Sequence, residues 1–314
     1  MRSAVLRGHR FELFTYDEDI RAPAWVARRD AREILPASRV LVYRNGIGAG
    51  SPALHANVFR YEMMHQLGGW WVDLDMLVLR ADLPRGDEFY ACDPRGVVLT
   101  GVLRFPAGSP LLAEAIRRCQ EVGEDTAAWG QTGPELITDL VAAFGREGRV
   151  ASAATAYALD HGDLEMVFDP ARCEEMEKRI EASSFLHLYN ELRRRAGFPR
   201  EAGPPPGSYL DRLFKTSGLD ITFPYRLQLP ELRRWLNNHF DANTYKTLYE
   251  TRQPELKGEF EREFERRALA LEQQSAIIRE LERRLAPKGP LTRLRAWRRQ
   301  TQDRVRARLH RLVD

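Results

Sequence analysis

The sequence predicts an α/β fold, because strand-like apolar runs alternate with helical segments through most of the first two hundred residues. With 314 residues, the chain is long enough for one enzyme-sized domain plus an appended segment. Its hydrophobic content of 43% and charged content of 30% are typical of a soluble globular protein with a polar surface. The sequence contains no run of 18 apolar residues, so we expect no membrane-spanning helix.

Three short elements are expected at the start of the chain. A strand begins at His9, within HRFELFTYD, and a short polar helix runs from Ala27 to Pro36. A second strand is expected from Val40 to Tyr43, before the loose sequence NGIGAGSP. This order of elements is the first part of the expected α/β layer.

The stretch from Pro52 to Leu83 predicts a helix, a glycine turn and a strand that two aspartates interrupt. Apolar residues on one face of the helix recur every three or four positions: Leu54, Val58, Tyr61, Met64 and Leu67. Gly69 turns the chain into the strand formers Trp70 to Val72, and the strand character resumes at Leu77.

Asp73 and Asp75 stand one residue apart inside this strand. Two carboxylates among core residues repel each other and lose hydration unless a cation or a set of donors accompanies them. Mg²⁺ and Mn²⁺ favour such oxygen ligands together with the oxygens of a phosphate. The pattern therefore predicts a divalent-cation site, although a bare Asp-x-Asp triplet is also common at the start of a solvated turn.

Further strands and helices follow the acidic pair. EFYAC and GVVLTGVLRF are expected as strands, as are LEMVFDP from Leu164 and the run SSFLHLYNEL from Ser183. The helix from Ser109 to Val122 has four inward positions: Leu112, Ala115, Ile116 and Cys119. In QTGPELITDLVAAF, a cap at Thr132 or Gly133 with Pro134 in the first turn leaves backbone N–H groups for an anion, or is a plain helix start.

The segment NVFRYEMMHQLGGWWVDLD, residues 57–75, resembles a glycosyltransferase family that carries a sugar-binding DXD motif. Its relatives include family 32 sugar transferases, capsular-polysaccharide transferases and, more distantly, the glucosylating clostridial toxins. The resemblance covers roughly residues 1–196 and implies a GT-A-like fold, a Rossmann-like mixed sheet flanked by helices. Members usually have one more strand at the start, which cradles the nucleotide, and Met1 enters where that strand should have ended.

The resemblance also implies residue roles. Asn57 and Arg60 share a helical face and contact hydroxyls of the donor sugar, although Arg60 could instead pair with a carboxylate as a structural salt bridge. Asp75 is the expected direct ligand of Mn²⁺ or Mg²⁺, and this metal together with Arg60 is expected to stabilise the negative charge on the departing diphosphate. Asp73 binds the ribose, or the metal through water.

Two later segments receive roles from the same resemblance. The turn at Gly133 and Pro134 lines the pocket for the donor sugar and the acceptor. His187 is expected as a metal or phosphate contact, with a buried core histidine as its alternative, and Asn190 as a further donor contact.

The implied reaction is transfer of a sugar from a nucleotide-diphosphate donor, most readily a UDP-sugar, to a hydroxyl of a glycan or surface polysaccharide, with retention of configuration. A nucleotide-sugar-binding or glycan-binding protein without turnover is one alternative. A phosphatase of the haloacid-dehalogenase type is another, but Leu77 stands where that family usually has threonine or valine, and its downstream lysine and aspartates are missing.

Three segments are expected: a catalytic domain in residues 1–200, an aromatic helical extension in 201–253 that begins with GPPPG, and a helical segment in 254–314. The aromatic residues of 201–253 form a core or an acceptor platform. The ragged heptads of Glu255–Leu285 pack on the body or form a homodimer. The basic tail contacts an anionic membrane surface or stays solvated, and nucleic acid is not an expected partner.

Charge and cysteine content indicate the compartment. Residues from Lys288 to Asp314 carry nine basic and two acidic side chains, a balance of +7 against +3 for the whole chain, so the remainder carries −4. The three cysteines are widely spaced and form no CxxC pair, which favours a reducing compartment and argues against a zinc site. We therefore expect a cytoplasmic protein, with any contact at the inner face of the membrane being peripheral.

Overall fold

The computed structural model has a mixed α/β architecture with small sheets. It describes residues 1–44, 50–123, 125–195, 201–217, 221–237 and 257–285. The chain divides into two compact units, Met1–Phe240 and Asp241–Asp314, and the strands and the candidate site belong to the first.

Four two-stranded ladders contain the strands of the described chain. Two ladders are parallel and two are antiparallel. The parallel ladders pair β1 (Glu12–Thr15) with β2 (Ala27–Asp30), and β7 (Ala202–Gly203) with β8 (Tyr225–Arg226). The antiparallel ladders pair β3 (Gly69–Val72) with β5 (Val102–Phe105), and β4 (Met76–Val78) with β6 (Phe185–His187). In the last ladder Met76 lies opposite His187, which brings the end of β6 next to the acidic pair.

Ten α-helices are described, besides short 3-10 helices. In chain order they are α1 (Arg2–Leu6), α2 (Ala53–Leu67), α3 (Pro110–Glu121), α4 (Pro134–Ala143), α5 (Ala153–Ala156), α6 (Cys173–Arg179), α7 (Asn190–Arg195), α8 (Tyr209–Thr216), α9 (229–237) and α10 (Lys257–Leu285). No helix among the described residues has the length and apolar character that crossing a bilayer requires.

The main core lies where α2 packs against α3, with α4 beside α3. All four predicted inward residues of α3 are buried, which confirms its amphipathic pattern. In α2, Leu54, Tyr61 and Met64 are buried as predicted, but Leu67 is 48% exposed. The helix also buries the polar side chains of Asn57 and Arg60, so more than one of its faces lies inside the protein.

Four predicted elements are wrong. EFYAC forms only isolated β-bridges at Phe89, Ala91 and Cys92 and not a strand, because each residue pairs with a different segment of the chain. Residues 27–30 form strand β2 and not a helix, since parallel pairing with β1 outweighs the helix-forming composition of ARRDARE. Val40–Tyr43 forms no strand. Leu164–Val167 belongs to a 3-10 helix, His161–Val167, because the Asp160 side chain caps it through the N–H groups of Gly162 and Asp163.

The expected boundary near residue 200 falls inside the first compact unit, where β7 pairs with β8. The predicted long helix is confirmed as α10. The last aromatic residues of the predicted extension, Tyr245 and Tyr249, and the basic tail in residues 286–314 lie outside the described residues.

Candidate functional site

A glycine pair at the end of α2 directs the chain toward the two aspartates. Gly68 has φ of 68°, a conformation that favours glycine, and a Cβ there would lie 2.8 Å from the backbone nitrogen of Ala107. The chain can therefore pass close to the loop after β5 only without a side chain at this position. β3 then pairs with β5 and ends immediately before Asp73.

Asp73 is fixed from three sides. Its backbone N–H donates to the carbonyl of Gly101 at 2.7 Å, and its Oδ1 accepts a hydrogen bond from Trp71 Nε1 at 2.6 Å. Arg60 Nη2 lies 3.4 Å from the same Oδ1. Trp71 and Asp73 are two residues apart at the end of a strand, a spacing that puts both side chains on one face.

The environment of Asp73 disfavours its charge. Burial raises the pKa of Asp73, the Arg60 guanidinium opposes this change, and the nearby Asp75 carboxylate adds to it. The Asp73 side chain is 28% exposed, whereas that of Arg60 is 6% exposed. Arg60 therefore provides the countercharge from inside the protein while Asp73 keeps partial access to solvent.

Arg60 has partners for all three guanidinium nitrogens. Its Nε donates to the carbonyl of Ala56 at 3.2 Å and its Nη1 to the carbonyl of Thr100 at 2.7 Å, while Nη2 faces Asp73. Its Cζ lies 5.1 Å from the centroid of the Trp71 ring. The structure thus supports the predicted alternative in which Arg60 pairs with a carboxylate, and it leaves Arg60 few donors for a sugar.

Asp75 has a different set of partners, which come from the end of β6 and the residues that follow it. Its Oδ2 accepts a hydrogen bond from the backbone N–H of Asn190 at 2.8 Å and lies 3.3 Å from His187 Nε2. Its backbone carbonyl accepts from the N–H of Leu188 at 2.9 Å. The three predicted residues Asp75, His187 and Asn190 are therefore brought together, and Asn190 contributes its backbone and not its side chain.

These partners favour the charged form of Asp75. Burial alone would raise the pKa of Asp75, but the hydrogen bonds from His187 and from the Asn190 N–H outweigh it, so the pKa is lowered. The two aspartates of one motif are thus shifted in opposite directions. The charged form is therefore favoured at Asp75, whose side chain is 23% exposed.

Only one of the two ring nitrogens of His187 has a polar partner in the described chain. Its Nε2 faces Asp75, whereas its Nδ1 is buried and has no partner in the described chain. The ring packs against Tyr189 with a centroid separation of 4.1 Å and lies edge-on to Tyr157 at 5.9 Å. This arrangement fixes the plane of the imidazole next to Asp75.

Asn57 and the start of α4 form a second part of the site. Asn57 Nδ2 donates to Thr132 Oγ1 at 3.1 Å, and a Cβ at Gly133 would lie 3.1 Å from the same nitrogen. The N–H groups of Gly133 and Glu135 both donate to the carbonyl of Gly130, and Pro134 has none. The expectation that these N–H groups face an anion is therefore wrong for the first positions of α4.

Sequence reasoning missed two residues in the segment that follows β6. Arg193 on α7 has a buried Nε without a partner in the described chain, and its Cζ lies 5.4 Å from the ring centroid of Phe168. Burial lowers the pKa of Arg193, and Asp75 is the carboxylate that opposes this change. The sequence did not single out Arg193, because it stands in a run of three arginines. Tyr189, with φ of 47°, carries no sequence signal for such a backbone conformation.

The donor set can be tested against a divalent cation. In octahedral coordination at about 2.1 Å, neighbouring ligand atoms lie about 3.0 Å apart. The 3.3 Å between Asp75 Oδ2 and His187 Nε2 is close to that separation. In the described chain no three His, Cys, Asp or Glu side chains form a metal-binding group, so further ligands would have to come from water or a substrate.

Two surface pockets lie elsewhere. One, of about 480 Å³, is lined by Val5 of α1, by residues 8–11 before β1 and by the segment 24–27. The other, of about 360 Å³, lies between Arg7, residues 79–80 after β4, residues 177–183 and the first residue of α8. Neither includes Asp73 or Asp75. Cavity size therefore does not identify the candidate site, which rests on the convergence of charged side chains.

Comparison with family models, with curated proteins and with solved structures finds no match to this chain. The functional interpretation depends on the geometry of the site and on the motif that the sequence carries.

Proposed function

We propose that the protein is a metal-dependent, retaining glycosyltransferase with a GT-A-like catalytic domain. It moves a sugar from a nucleotide-diphosphate donor, with UDP-sugars as the first candidates, to a hydroxyl of a glycan or surface polysaccharide. One observation carries the proposal: residues far apart in sequence meet at the acidic motif, with Arg60 3.4 Å from Asp73 and His187 3.3 Å from Asp75.

In this proposal Asp75 and His187 would hold Mn²⁺ or Mg²⁺ together with oxygen ligands from water or the donor. When bound, the ion would supply positive charge against the diphosphate. The lowered pKa of Asp75 fits this role, since a ligand carboxylate must be ionised. Asp73, fixed by Arg60 and Trp71, binds the donor ribose with the side-chain surface that remains exposed, or the metal through water.

Arg60 acts through Asp73. Because its three nitrogens already have partners, we assign Arg60 as a positioning residue and not as a contact of the departing phosphate. Asn57 and Gly133, packed against each other, are assigned to one wall of the donor-sugar pocket. Pro134, which begins α4, and the side chain of Asn190 remain proposed contacts of the donor.

Arg193 is the better candidate for the cation that faces the diphosphate. A half-buried guanidinium with an unpartnered Nε is costly unless an anion joins it. The Asp75 carboxylate favours the charged form of Arg193, but in the described chain no carboxylate forms an ion pair with Arg193. A phosphate between the two would give the guanidinium a partner.

The reaction needs no nucleophile from the chain. The bond between the anomeric carbon and the phosphate oxygen breaks, and its electron pair stays with the nucleoside diphosphate. The acceptor hydroxyl forms the new bond on the same face, and its proton passes to the departing phosphate. Cationic groups fixed before the reaction stabilise the charge that develops.

The proposal extends to location and assembly. We place the protein in the cytoplasm, with peripheral contact to the inner face of the membrane through the basic tail and a homodimer through α10 as further parts of the proposal. The widely separated cysteines support a reducing compartment.

Nucleotide release from a panel of UDP- and GDP-sugars in the presence of Mn²⁺ tests the proposed function. Wild type is compared with Asp75→Asn and with Asp82→Asn, which removes an exposed carboxylate seven residues away. Metal-dependent release that only Asp75→Asn abolishes supports the transferase. Saturable donor binding without release indicates a binding protein, and phosphate release from simple phosphate esters indicates the phosphatase.

Arg193→Gln gives a second test of the same site. We expect it to raise the KM for the donor at least tenfold, on the order of the 1.5–3 kcal/mol of a hydrogen bond to a charged group. Arg117→Gln, which removes an exposed cation paired with Glu114 on α3, is the matched control and should leave the KM unchanged. A normal KM in Arg193→Gln would mean that Arg193 only packs on Phe168.

A further inference from the structure

The segment that carries the partners of Asp75 contains an unusual backbone turn. Tyr189 has φ of 47°, and it is the one residue other than glycine with positive φ in the described chain. A side chain crowds the backbone in this conformation, so it persists only where surrounding contacts hold it. Such residues are frequent at functional sites.

The turn lies between two backbone N–H groups that both reach Asp75. The N–H of Leu188 donates to the main-chain carbonyl of Asp75 at 2.9 Å, and the N–H of Asn190 donates to its Oδ2 at 2.8 Å. Pairing of β6 with β4 ends at His187, so the ladder does not hold Asn190 in place. The conformation of Tyr189 decides where the Asn190 N–H points.

The Tyr189 side chain is anchored at both ends. Its hydroxyl donates to the carbonyl of Leu159 at 2.7 Å, and its ring packs on His187 with a centroid separation of 4.1 Å. The residue is only 5% exposed. These contacts offset the strain of the backbone and, through the ring, also fix the imidazole that faces Asp75.

We propose that Tyr189 is a positioning residue, whose anchored ring holds a left-handed turn that keeps the Asn190 N–H and the His187 imidazole on Asp75. Its importance for catalysis rests on the proposed function, but the positioning itself does not. Tyr189 touches neither metal nor donor in this assignment, and it acts by keeping two partners on one carboxylate.

A pair of substitutions separates the turn from the ring. Tyr189→Ala and Tyr189→Gly both remove the anchors, but only glycine adopts positive φ without strain. We expect amide exchange of Asn190 in the metal-free full chain to be at least about fivefold faster in Tyr189→Ala than in Tyr189→Gly. Tyr189→Phe keeps the ring and should stay within about threefold of wild type.

Equal rates of Asn190 amide exchange in Tyr189→Ala and Tyr189→Gly would overturn the proposal. The left-handed backbone conformation would then contribute nothing, and packing of the ring alone would explain the contact of Asn190 with Asp75. Tyr16→Ala is the control for the loss of a tyrosine hydroxyl bond, since Tyr16 donates to the carbonyl of Leu35 at 3.1 Å in another part of the core. It should leave Asn190 exchange unchanged.

Mn²⁺ titration of the same variants separates this inference from the proposed function. We expect Tyr189→Ala to weaken Mn²⁺ binding at least tenfold, as the loss of an outer-shell partner does, with Tyr189→Phe near wild type. If wild type neither binds Mn²⁺ nor releases nucleotide, the proposed function fails, and the exchange of Asn190 still decides the role of Tyr189. If wild type binds Mn²⁺ and all variants bind it equally, only the positioning role fails.

Discussion

Removal of Arg60 should destabilise the protein strongly, because it leaves the Asp73 carboxylate without its countercharge. Arg60→Met keeps an apolar chain of similar length beside Trp71 but removes the ion pair and the hydrogen bond to Thr100. Loss of one partner from a buried pair costs about 3–5 kcal/mol. Since Asp73 is 28% exposed, water takes over part of the lost interaction, and we expect about 3 kcal/mol.

The measurement is guanidinium unfolding followed by tryptophan fluorescence, because Trp70 and Trp71 lie in β3 beside the site. Asp73→Asn keeps an acceptor for the Trp71 N–H and removes a charge that burial disfavours, so it should cost less than Arg60→Met. Once Asp73 is neutral it no longer needs a cation. The double variant should therefore be more stable than the sum of the single losses, by about 1–2 kcal/mol.

Arg117→Met is the matched control, since it removes an arginine from an exposed ion pair with Glu114. Water screens such pairs, and the unfolding midpoint should hardly move. If Arg60→Met shifts the midpoint no more than this control, or if the losses of Arg60→Met and Asp73→Asn simply add, then the two residues are not a coupled pair. The assignment of Arg60 as the residue that positions Asp73 would then be wrong.

Three more predictions concern single positions. Hydrogen bonds from two cationic side chains and a backbone N–H overcome the effect of burial and lower the pKa of Asp211 to about 2. Asp211→Asn should therefore lower the free energy of unfolding by about 2 kcal/mol at neutral pH. In acid unfolding, this difference between wild type and variant should vanish as the pH falls from about 4 toward 2. Gly68→Ala should lower the free energy of unfolding by about 2 kcal/mol, because position 68 has positive φ and the new Cβ would clash with the backbone of Ala107. An unchanged midpoint in urea unfolding would contradict this. Gly133→Ala should displace Asn57 and raise the donor KM several-fold with little change in kcat, as steady-state kinetics can check.

The sequence predicted those parts of the site that depend on local pattern. Helical spacing placed Asn57 and Arg60 on α2, the glycine pair located the turn, and the alternation of apolar and acidic residues located Asp73 and Asp75. Only the family resemblance predicted that His187 lies at the same site, and the pairing of β4 with β6 places it next to the acidic pair. The parts other than His187 were predictable because each is encoded within a few residues.

The errors arose where distant contacts decide the conformation. Residues 27–30 have the composition of a helix, but they pair in parallel with β1 over a separation that sequence periodicity does not report. The N–H groups at the start of α4 were expected to be free, yet the carbonyl of Gly130 accepts from two of them. The left-handed turn at Tyr189 depends on Leu159 and His187, which local pattern could not connect to it.

The two aspartates of the motif have opposite environments, because each receives its partners from a different part of the chain. Burial disfavours the charged form of Asp73, but Arg60 of α2 and Trp71 of β3 contact its carboxylate. Asp75 takes its partners from the end of β6 and the segment after it, and these partners favour its charged form. The two carboxylates are therefore accompanied by different parts of the chain. On the proposed function, a diphosphate would bring more negative charge to Asp75, and a cation bound with it would couple metal binding to donor binding.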